Sequence, residues 1–230
     1  MSTSSSPALI TDPVSALLSL LAASPPNTRI AVAIAGVPGS GKSTLAAQLA
    51  SRVDSALSAP NTACVLTLDG FHYPKSVLSL GVGGRSPTES FARRGAPWTF
   101  DGGAFAAALR AAINGDSNAW PTFDHAIGDP EPNDAAIPAA ARLLIVEGLY
   151  VLFDEGEWYG VLPSLSAAWF LDTPRFIAND RLALRHMVAW NLTREAADER
   201  IALNDGPNGD LVVESCRAAT ARLLPFSEPF

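Results

Sequence analysis

The sequence has little cysteine and no long hydrophobic run. Only two cysteines, Cys64 and Cys216, occur among 230 residues, which is too few for a disulfide framework or a zinc site. No apolar run approaches the roughly 20 residues of a membrane-spanning helix. The apolar stretch 17–23 has no Lys or Arg before it, which argues against a secretory signal. These absences favour a cytoplasmic protein with reduced thiols and no membrane partner.

Positive charge is also scarce. The chain has 16 Lys and Arg against 23 Asp and Glu, for a net charge of −7. This balance provides no general attraction to nucleic acid or to anionic membranes. A length of 230 residues with 48% hydrophobic residues is suited to one core. We therefore expect a flexible tail over 1–11 and a single domain over 12–230; the sequence is compatible with a homodimer.

Short apolar segments alternate with segments of helical periodicity. The apolar segments have the length and composition of buried parallel strands, and they are 29–35, 63–68, 143–146 and 168–171. Parallel strands that alternate with helices predict a three-layer α/β fold with a mostly parallel sheet. Ligands bind such sheets at the carboxyl ends of the strands.

Helix starts and irregular segments can also be placed. Asp12, Asp101 and Thr193 each precede a helical pattern and are suitable N-caps. The segment 71–100 is rich in Gly, Pro and Arg without a sustained period, which predicts a long functional loop or mobile flap. The segment 129–138 is likewise predicted to be irregular.

A phosphate-binding motif follows the first apolar strand. The segment Gly36-Val37-Pro38-Gly39-Ser40-Gly41-Lys42-Ser43 matches the P-loop pattern and stands between a predicted strand and a predicted helix. Its backbone N–H groups would face phosphate oxygens at the positive end of the helix dipole. Lys42 would reach the β- and γ-phosphates, and the Ser43 hydroxyl would ligate Mg²⁺. Thr44 is a further candidate, although it also fits an ordinary helix position.

The nucleotide is expected to be ATP. GTPases carry an Asn-Lys-x-Asp motif that reads guanine, and the sequence has none. Motor ATPases, switches and metabolite kinases nevertheless share the P-loop. The residues opposite the P-loop must therefore distinguish among these classes.

Asp69 comes directly after the second predicted strand, so its carboxylate should lie at the same sheet edge as the P-loop. Phosphoryl transfer to a hydroxyl needs a group that accepts the hydroxyl proton. Asp69 is in the right place for such a base. Since Gly70 follows it, a simple turn role also fits.

Several motifs in order resemble the family of uridine kinases, phosphoribulokinases and bacterial-type pantothenate kinases. The resemblance covers about residues 29–210 and is closest to a fungal and bacterial branch whose substrate the family name does not specify. It consists of the P-loop, Asp69-Gly70-Phe71-His72, Arg93-Arg94-Gly95-Ala96-Pro97 with Phe100-Asp101, Phe123-Asp124-His125, and Val146-Glu147-Gly148-Leu149. The resemblance implies an ATP-dependent kinase with Asp69 as its base.

The resemblance also implies a magnesium-associated acid and a lid. Glu147 ends the strand 143–146, where the family has an acid near Mg²⁺; a capping or ion-pair role is the alternative. Arg181 and Arg185 are four residues apart on one predicted helix face, in a lid region of about 175–205. They would either close over the phosphates or form a solvated basic face.

The acceptor side is the least defined. Its candidate residues lie next to Asp69 or match substrate-side positions of the family, and they are His72, Tyr73, Arg93, Arg94, Asp124 and His125. The two arginines are suited to an anionic or polar group of the acceptor. A structural hydrogen-bonding role is the alternative for His125.

Two hypotheses follow. The first is a kinase that transfers the γ-phosphate of ATP, with Mg²⁺, to a hydroxyl of a nucleoside, a pantothenate-like alcohol or a sugar. The second is a nucleotide-dependent regulatory ATPase without an acceptor. Asp69 distinguishes them, because only the kinase requires a base there.

Overall fold

A six-stranded, entirely parallel sheet forms the centre of the protein. The computed structural model describes residues 7–124 and 127–225, apart from the side chains of residues 133 and 134. The strands in chain order are β1 (Ala8–Ile10), β2 (Ile30–Ala35), β3 (Ala63–Thr67), β6 (Leu143–Gly148), β7 (Ala167–Leu171) and β8 (Ala221–Leu223), and their order in the sheet is β1-β8-β7-β2-β6-β3. The remaining strands, β4 (Ala119–Asp124) and β5 (Asp129–Ala136), form a separate antiparallel pair.

The helices lie between the strands. They are α1 (Pro13–Ala23), α2 (Lys42–Leu57), α3 (Lys75–Leu78), α4 (Pro87–Ala92), α5 (Gly102–Asn114), α6 (Arg175–Trp190), α7 (Arg194–Arg200) and α8 (Gly206–Ser215). A π-helical turn, Ile201–Asp205, joins α7 to α8. Within the described ranges, no helix is both long enough and apolar enough to span a bilayer.

The caps predicted from sequence set the helix ends. Asp12 accepts the amide of Ser15 before α1, and Asp101 accepts the amide of Ala104 before α5. Gly115 ends α5 with φ of 80°, a conformation that glycine adopts without a Cβ penalty. Loss of one such side-chain cap typically costs about 1 kcal/mol.

The alternation of side chains along β2 divides the core into two layers. Ala31, Ala33 and Ala35 face a cluster that includes α5 and the β4–β5 pair. Val32 and Ile34 face the opposite cluster, which includes α1 and α2. Because successive strand residues point to opposite faces, one buried strand supports both layers. The predicted three-layer α/β fold is confirmed.

Three local predictions need correction. The segment 129–138 is not irregular, because 129–136 forms β5; its prolines are tolerated in a strand with only one partner. Within the predicted tail, Ala8–Ile10 pairs in parallel with β8. The segment 71–100 contains α3, α4 and a 3₁₀ turn at Pro97–Thr99. These helices of three to six residues are too short to show a helical period in the sequence.

Candidate active site

The P-loop joins β2 to α2, as the sequence predicts. Gly39 and Gly41 have φ of 77° and 92°, which non-glycine residues rarely adopt. The Ser40 amide donates to Val37 O at 3.0 Å, which closes the loop ahead of α2. The first turn of α2 begins at Lys42. This strand, loop and helix place free amides and the positive helix end where an anion binds.

Helix α6 packs directly on the P-loop. A Cβ on Gly39 would lie 2.1 Å from the backbone oxygen of Ala178, so only glycine permits this approach. Arg181 Nη1 donates to Ser40 O at 3.4 Å, and Thr173 Oγ1 donates to the same oxygen at 2.9 Å. Arg185 is exposed one turn further along α6. The structure thus places Arg181, but not Arg185, in contact with the P-loop.

Glu147 is a buried carboxylate at the end of β6. It is only 5% exposed, and the hydroxyls of Ser43 and Thr67 lie close enough to its carboxyl group to lower its pKa. Burial raises the pKa of Glu147, the charge of Asp69 raises it further, and Lys42 and the two hydroxyls counteract this. A carboxyl group whose charged form is disfavoured by burial thus lies beside the P-loop, and such perturbed groups are common at functional sites.

Asp69 lies in the 3₁₀ turn Leu68–Phe71 that follows β3. Its amide donates to Thr67 Oγ1 at 3.2 Å. Thr67 is the register partner of Glu147 across the β3–β6 ladder, so the same threonine contacts both acidic residues. Lys42, Ser43, Asp69 and Glu147, predicted separately from three strand ends, are therefore brought together at one sheet edge.

The next two predicted residues lie beside Asp69. His72 Nδ1 is 2.8 Å from Asp69 O, and its ring centroid is 3.9 Å from that of Phe100. Tyr73 is half-buried. Burial raises the pKa of Tyr73, and the charges of Asp101 and Glu157 raise it further. An aromatic surface with nearby acidic groups therefore adjoins the candidate base.

Arg94 is held by protein groups. Its guanidinium donates to the backbone oxygens of Gly128 and Tyr73 and to Asp129. The Asp129 contact is an ion pair of 2.9 Å. The guanidinium carbon also lies 5.3 Å from the ring centroid of Phe123.

Arg93 contacts two residues that lie far from it in the sequence. It donates to Leu203 O at 2.9 Å and to Asn208 Oδ1 at 3.0 Å. These partners lie in the π-helical turn and in α8, which are 110 or more residues away in sequence. Of the remaining predicted residues, Asp124 accepts the amide of Ile127, and His125 lies outside the described residues.

Some residues that organise the site escape sequence reasoning. Thr67 and Thr173 support Asp69 and the P-loop through single hydroxyls. Buried Asn204 donates to Arg94 O at 2.9 Å, and buried Tyr150 donates to Gly95 O at 2.6 Å. Only the position of Thr67 two residues before Asp69 offered a local signal.

Comparisons with known proteins show which chains this sequence and this fold are similar to. No family model matches the chain. The chain is 33% identical over 207 residues to a "putative uridine kinase" of Schizosaccharomyces pombe, covering 84% of this chain and 86% of that protein. It is 36% identical over 164 residues to an "ATP-dependent kinase-like protein" of Aspergillus versicolor, covering 69% of this chain and 93% of that protein.

Solved structures show the same relationship. The "putative fructose transport system kinase" from Silicibacter sp. TM1040 has a TM-score of 0.77 and 31% identity, covering 92% of this chain and 97% of that chain. YFH7 from Saccharomyces cerevisiae, described as "a putative P-loop containing kinase with a circular permutation", shares the fold, with a TM-score of 0.79 at 20% identity over 94% of this chain and 98% of that chain. The chain belongs to the uridine kinase-like family of P-loop kinases.

Proposed function

We propose that the protein is a kinase that uses ATP and Mg²⁺ to phosphorylate a hydroxyl group of a small metabolite, with Asp69 as general base. The observation that carries this proposal is the meeting of Lys42, Ser43, Asp69 and Glu147 at one sheet edge. A transferase requires a phosphate cradle and a proton acceptor in the same place. The cradle alone would support only nucleotide binding.

In the proposed reaction, the acceptor hydroxyl oxygen forms a bond to the γ-phosphorus. The bond between that phosphorus and the β–γ bridging oxygen breaks, and ADP leaves. The hydroxyl proton passes to the Asp69 carboxylate, which is half-buried and accessible. Lys42 and Arg181 would neutralise charge on the phosphates. Arg185 would join them when the lid region 175–205 closes.

The residues beside the P-loop fit a magnesium ion. Ser43 and Glu147 offer a hydroxyl and a carboxylate oxygen near each other, and Mg²⁺ prefers such hard oxygen ligands. In the described part of the chain, no three His, Cys, Asp or Glu side chains form a metal-binding group. Kinase magnesium sites typically use one or two carboxylates together with substrate phosphates. The ion, when bound, would neutralise the charge that develops between the β- and γ-phosphates.

The acceptor would bind between Asp69 and the β4–β5 pair. His72 and Tyr73 lie beside the base and supply an aromatic surface. Asp124, the last residue of β4, and His125 are the other proposed acceptor residues. In this proposal ATP and one small acceptor are the partners, nucleic acid is not a partner, and the cytoplasmic location stays a prediction.

The test replaces the base. Asp69→Asn should lower acceptor-dependent ADP release by about 10²- to 10⁴-fold while ATP binding is retained. Asp116→Asn is the matched control, because Asp116 is exposed just beyond α5. The acceptors to assay are a panel of nucleosides, sugars and pantothenate-like alcohols.

Two results would contradict the proposal. One is that no acceptor raises ATP turnover while Asp69→Asn leaves the basal ATPase unchanged, which would instead support a regulatory ATPase. The other is an acceptor-dependent rate that is equal in Asp69→Asn and in Asp116→Asn. That result would assign the role of general base to another residue.

A further inference from the structure

The basic residues of the segment 71–100 all contact protein groups, and two acidic residues act on Tyr73. We propose that the phosphoryl acceptor is an uncharged polyhydroxyl compound rather than an anion. This inference rests on the kinase function proposed above and specifies the class of its substrate. It is carried by the contacts of the four Lys and Arg residues in 71–100 and by the acidic groups around Tyr73.

The charge of Arg94 is already balanced by an acidic partner. Asp129 forms an ion pair with it at 2.9 Å, and two backbone oxygens accept from its terminal nitrogens. Both side chains of the pair are largely buried, at 17% and 26% exposed. An acceptor anion would have to displace Asp129, which would leave that carboxylate partly buried without its cation.

Both terminal nitrogens of Arg93 also donate to protein groups. Leu203 O and Asn208 Oδ1 accept from them, and Asn208 is only 1% exposed. Arg93 and Asp205 both lie close enough to Tyr150 to act on its hydroxyl: Arg93 lowers the pKa of Tyr150, and Asp205 raises it. The Arg93 side chain therefore joins two parts of the domain.

The other two basic residues of the segment are engaged as well. Arg85 forms an ion pair of 3.5 Å with Glu89 and stacks on the Trp98 ring at 4.2 Å. Lys75 Nζ donates to Ile127 O at 2.5 Å. Each of the four cations in 71–100 thus contacts a protein oxygen.

Acidic groups, in contrast, are close to the acceptor side. Asp101 and Glu157 are near enough to Tyr73 to act on its hydroxyl, and Asp69 is four residues before Tyr73. Ionised carboxylates only accept hydrogen bonds, so they match the O–H groups of a polyol and repel an anion. The rings of His72, Phe100 and Phe123 add an apolar surface of the kind that lines small-molecule sites.

The first experiment compares acceptors in which a CH2OH group of the neutral compound is replaced by a carboxylate in the anion. The pairs are glycerol with glycerate, panthenol with pantothenate, and D-glucitol with D-gluconate. Acceptor-dependent ADP release is measured at equal concentrations and constant ionic strength. In any pair that supports turnover, we expect kcat/KM of the neutral compound to exceed that of the anion by about tenfold or more.

The outcomes separate this inference from the function on which it rests. A preference for the anionic member overturns the neutral-acceptor inference and leaves the kinase function intact. If no compound raises ATP turnover, both the neutral-acceptor inference and the kinase function are withdrawn. Preference for the neutral member supports both.

A second experiment tests the electrostatic cause. Glu157→Gln should reduce the neutral-over-anionic preference by about 2- to 5-fold, the effect of one exposed charge. Glu155→Gln is the matched control, because Glu155 is exposed in the same loop and does not contribute to the Tyr73 environment. An equal preference in the two variants would overturn the assigned role of the acidic groups.

Discussion

Replacement of Arg94 by Met should reveal a structural clamp. Met retains much of the aliphatic volume and removes the guanidinium. The change deletes the ion pair with Asp129 and two hydrogen bonds to backbone oxygens. If Arg94 serves the fold, the variant should lose stability, and the KM for the acceptor should not change.

The magnitude follows from the burial of the pair. Removal of one partner from a fully buried ion pair costs about 3–5 kcal/mol. Arg94 and Asp129 are 17% and 26% exposed, so solvent screening reduces this cost. Among the described residues, buried Arg94 Nε also has no hydrogen-bond partner, which makes the native arginine less favourable. We therefore expect the free energy of unfolding to fall by about 2–3 kcal/mol.

Urea unfolding measures this loss directly. Arg85→Met is the control, because its pair with Glu89 has side chains 37% and 51% exposed and should contribute less than about 1 kcal/mol. A double-mutant cycle with Asp129→Asn should give a coupling of at least about 1 kcal/mol. An Arg94→Met variant with wild-type stability and a raised KM for the acceptor would refute the reasoning and make Arg94 a substrate ligand.

Three other substitutions probe the P-loop edge. Because folding raises the pKa of Glu147, the wild-type free energy of unfolding should include a part that is lost as pH rises from about 4.5; Glu147→Gln should lack this loss in urea titrations without nucleotide. Thr67→Val removes the hydroxyl that contacts Asp69 and Glu147, so acceptor-dependent kcat should fall about 5- to 30-fold, and Thr67→Ser should restore it; equal rates would contradict this positioning role. Gly39→Ala must displace Ala178, so it should cost about 1–3 kcal/mol more than Gly115→Ala, which has the same positive φ and open space around it; equal thermal shifts would refute this.

The framework could be predicted from sequence because its signals are local. Four of the six sheet strands, β2, β3, β6 and β7, contain a continuous apolar run, and Asp12 and Asp101 cap helices through contacts three residues away. The P-loop needs only eight consecutive residues between a strand and a helix. Even the convergence of Asp69 and Glu147 follows from a general rule, since the carboxyl ends of parallel strands meet at one edge.

Other elements give no such signal. Strand β5 contains Pro130, Pro132 and several acidic or amide side chains, a composition typical of loops. It nevertheless pairs with β4 over a register interrupted near Trp120. The pairing is decided by a partner strand and by packing against the core, which are tertiary effects that propensity does not contain.

The arginine pair illustrates a different limit. The motif position of Arg93 and Arg94 predicts substrate contact, whereas the structure shows both guanidiniums bound to protein groups. The decisive partners, Asn208 and Asp129, lie 115 and 35 residues further along the chain. No local pattern encodes contacts at such separations.

The phosphate-donor and acceptor sides of the site therefore depend on different kinds of information. On the donor side, loop conformation, helix dipole and Lys42 act together within one short segment, so a motif implies the chemistry. On the acceptor side, the electrostatic field at Tyr73 depends on which nearby charges form ion pairs within the protein. Arg94 and Asp129 cancel each other, whereas Asp101 and Glu157 still act on Tyr73. Two relatives with the same basic motif would thus select differently charged acceptors if only one of them possessed the partner of Arg94.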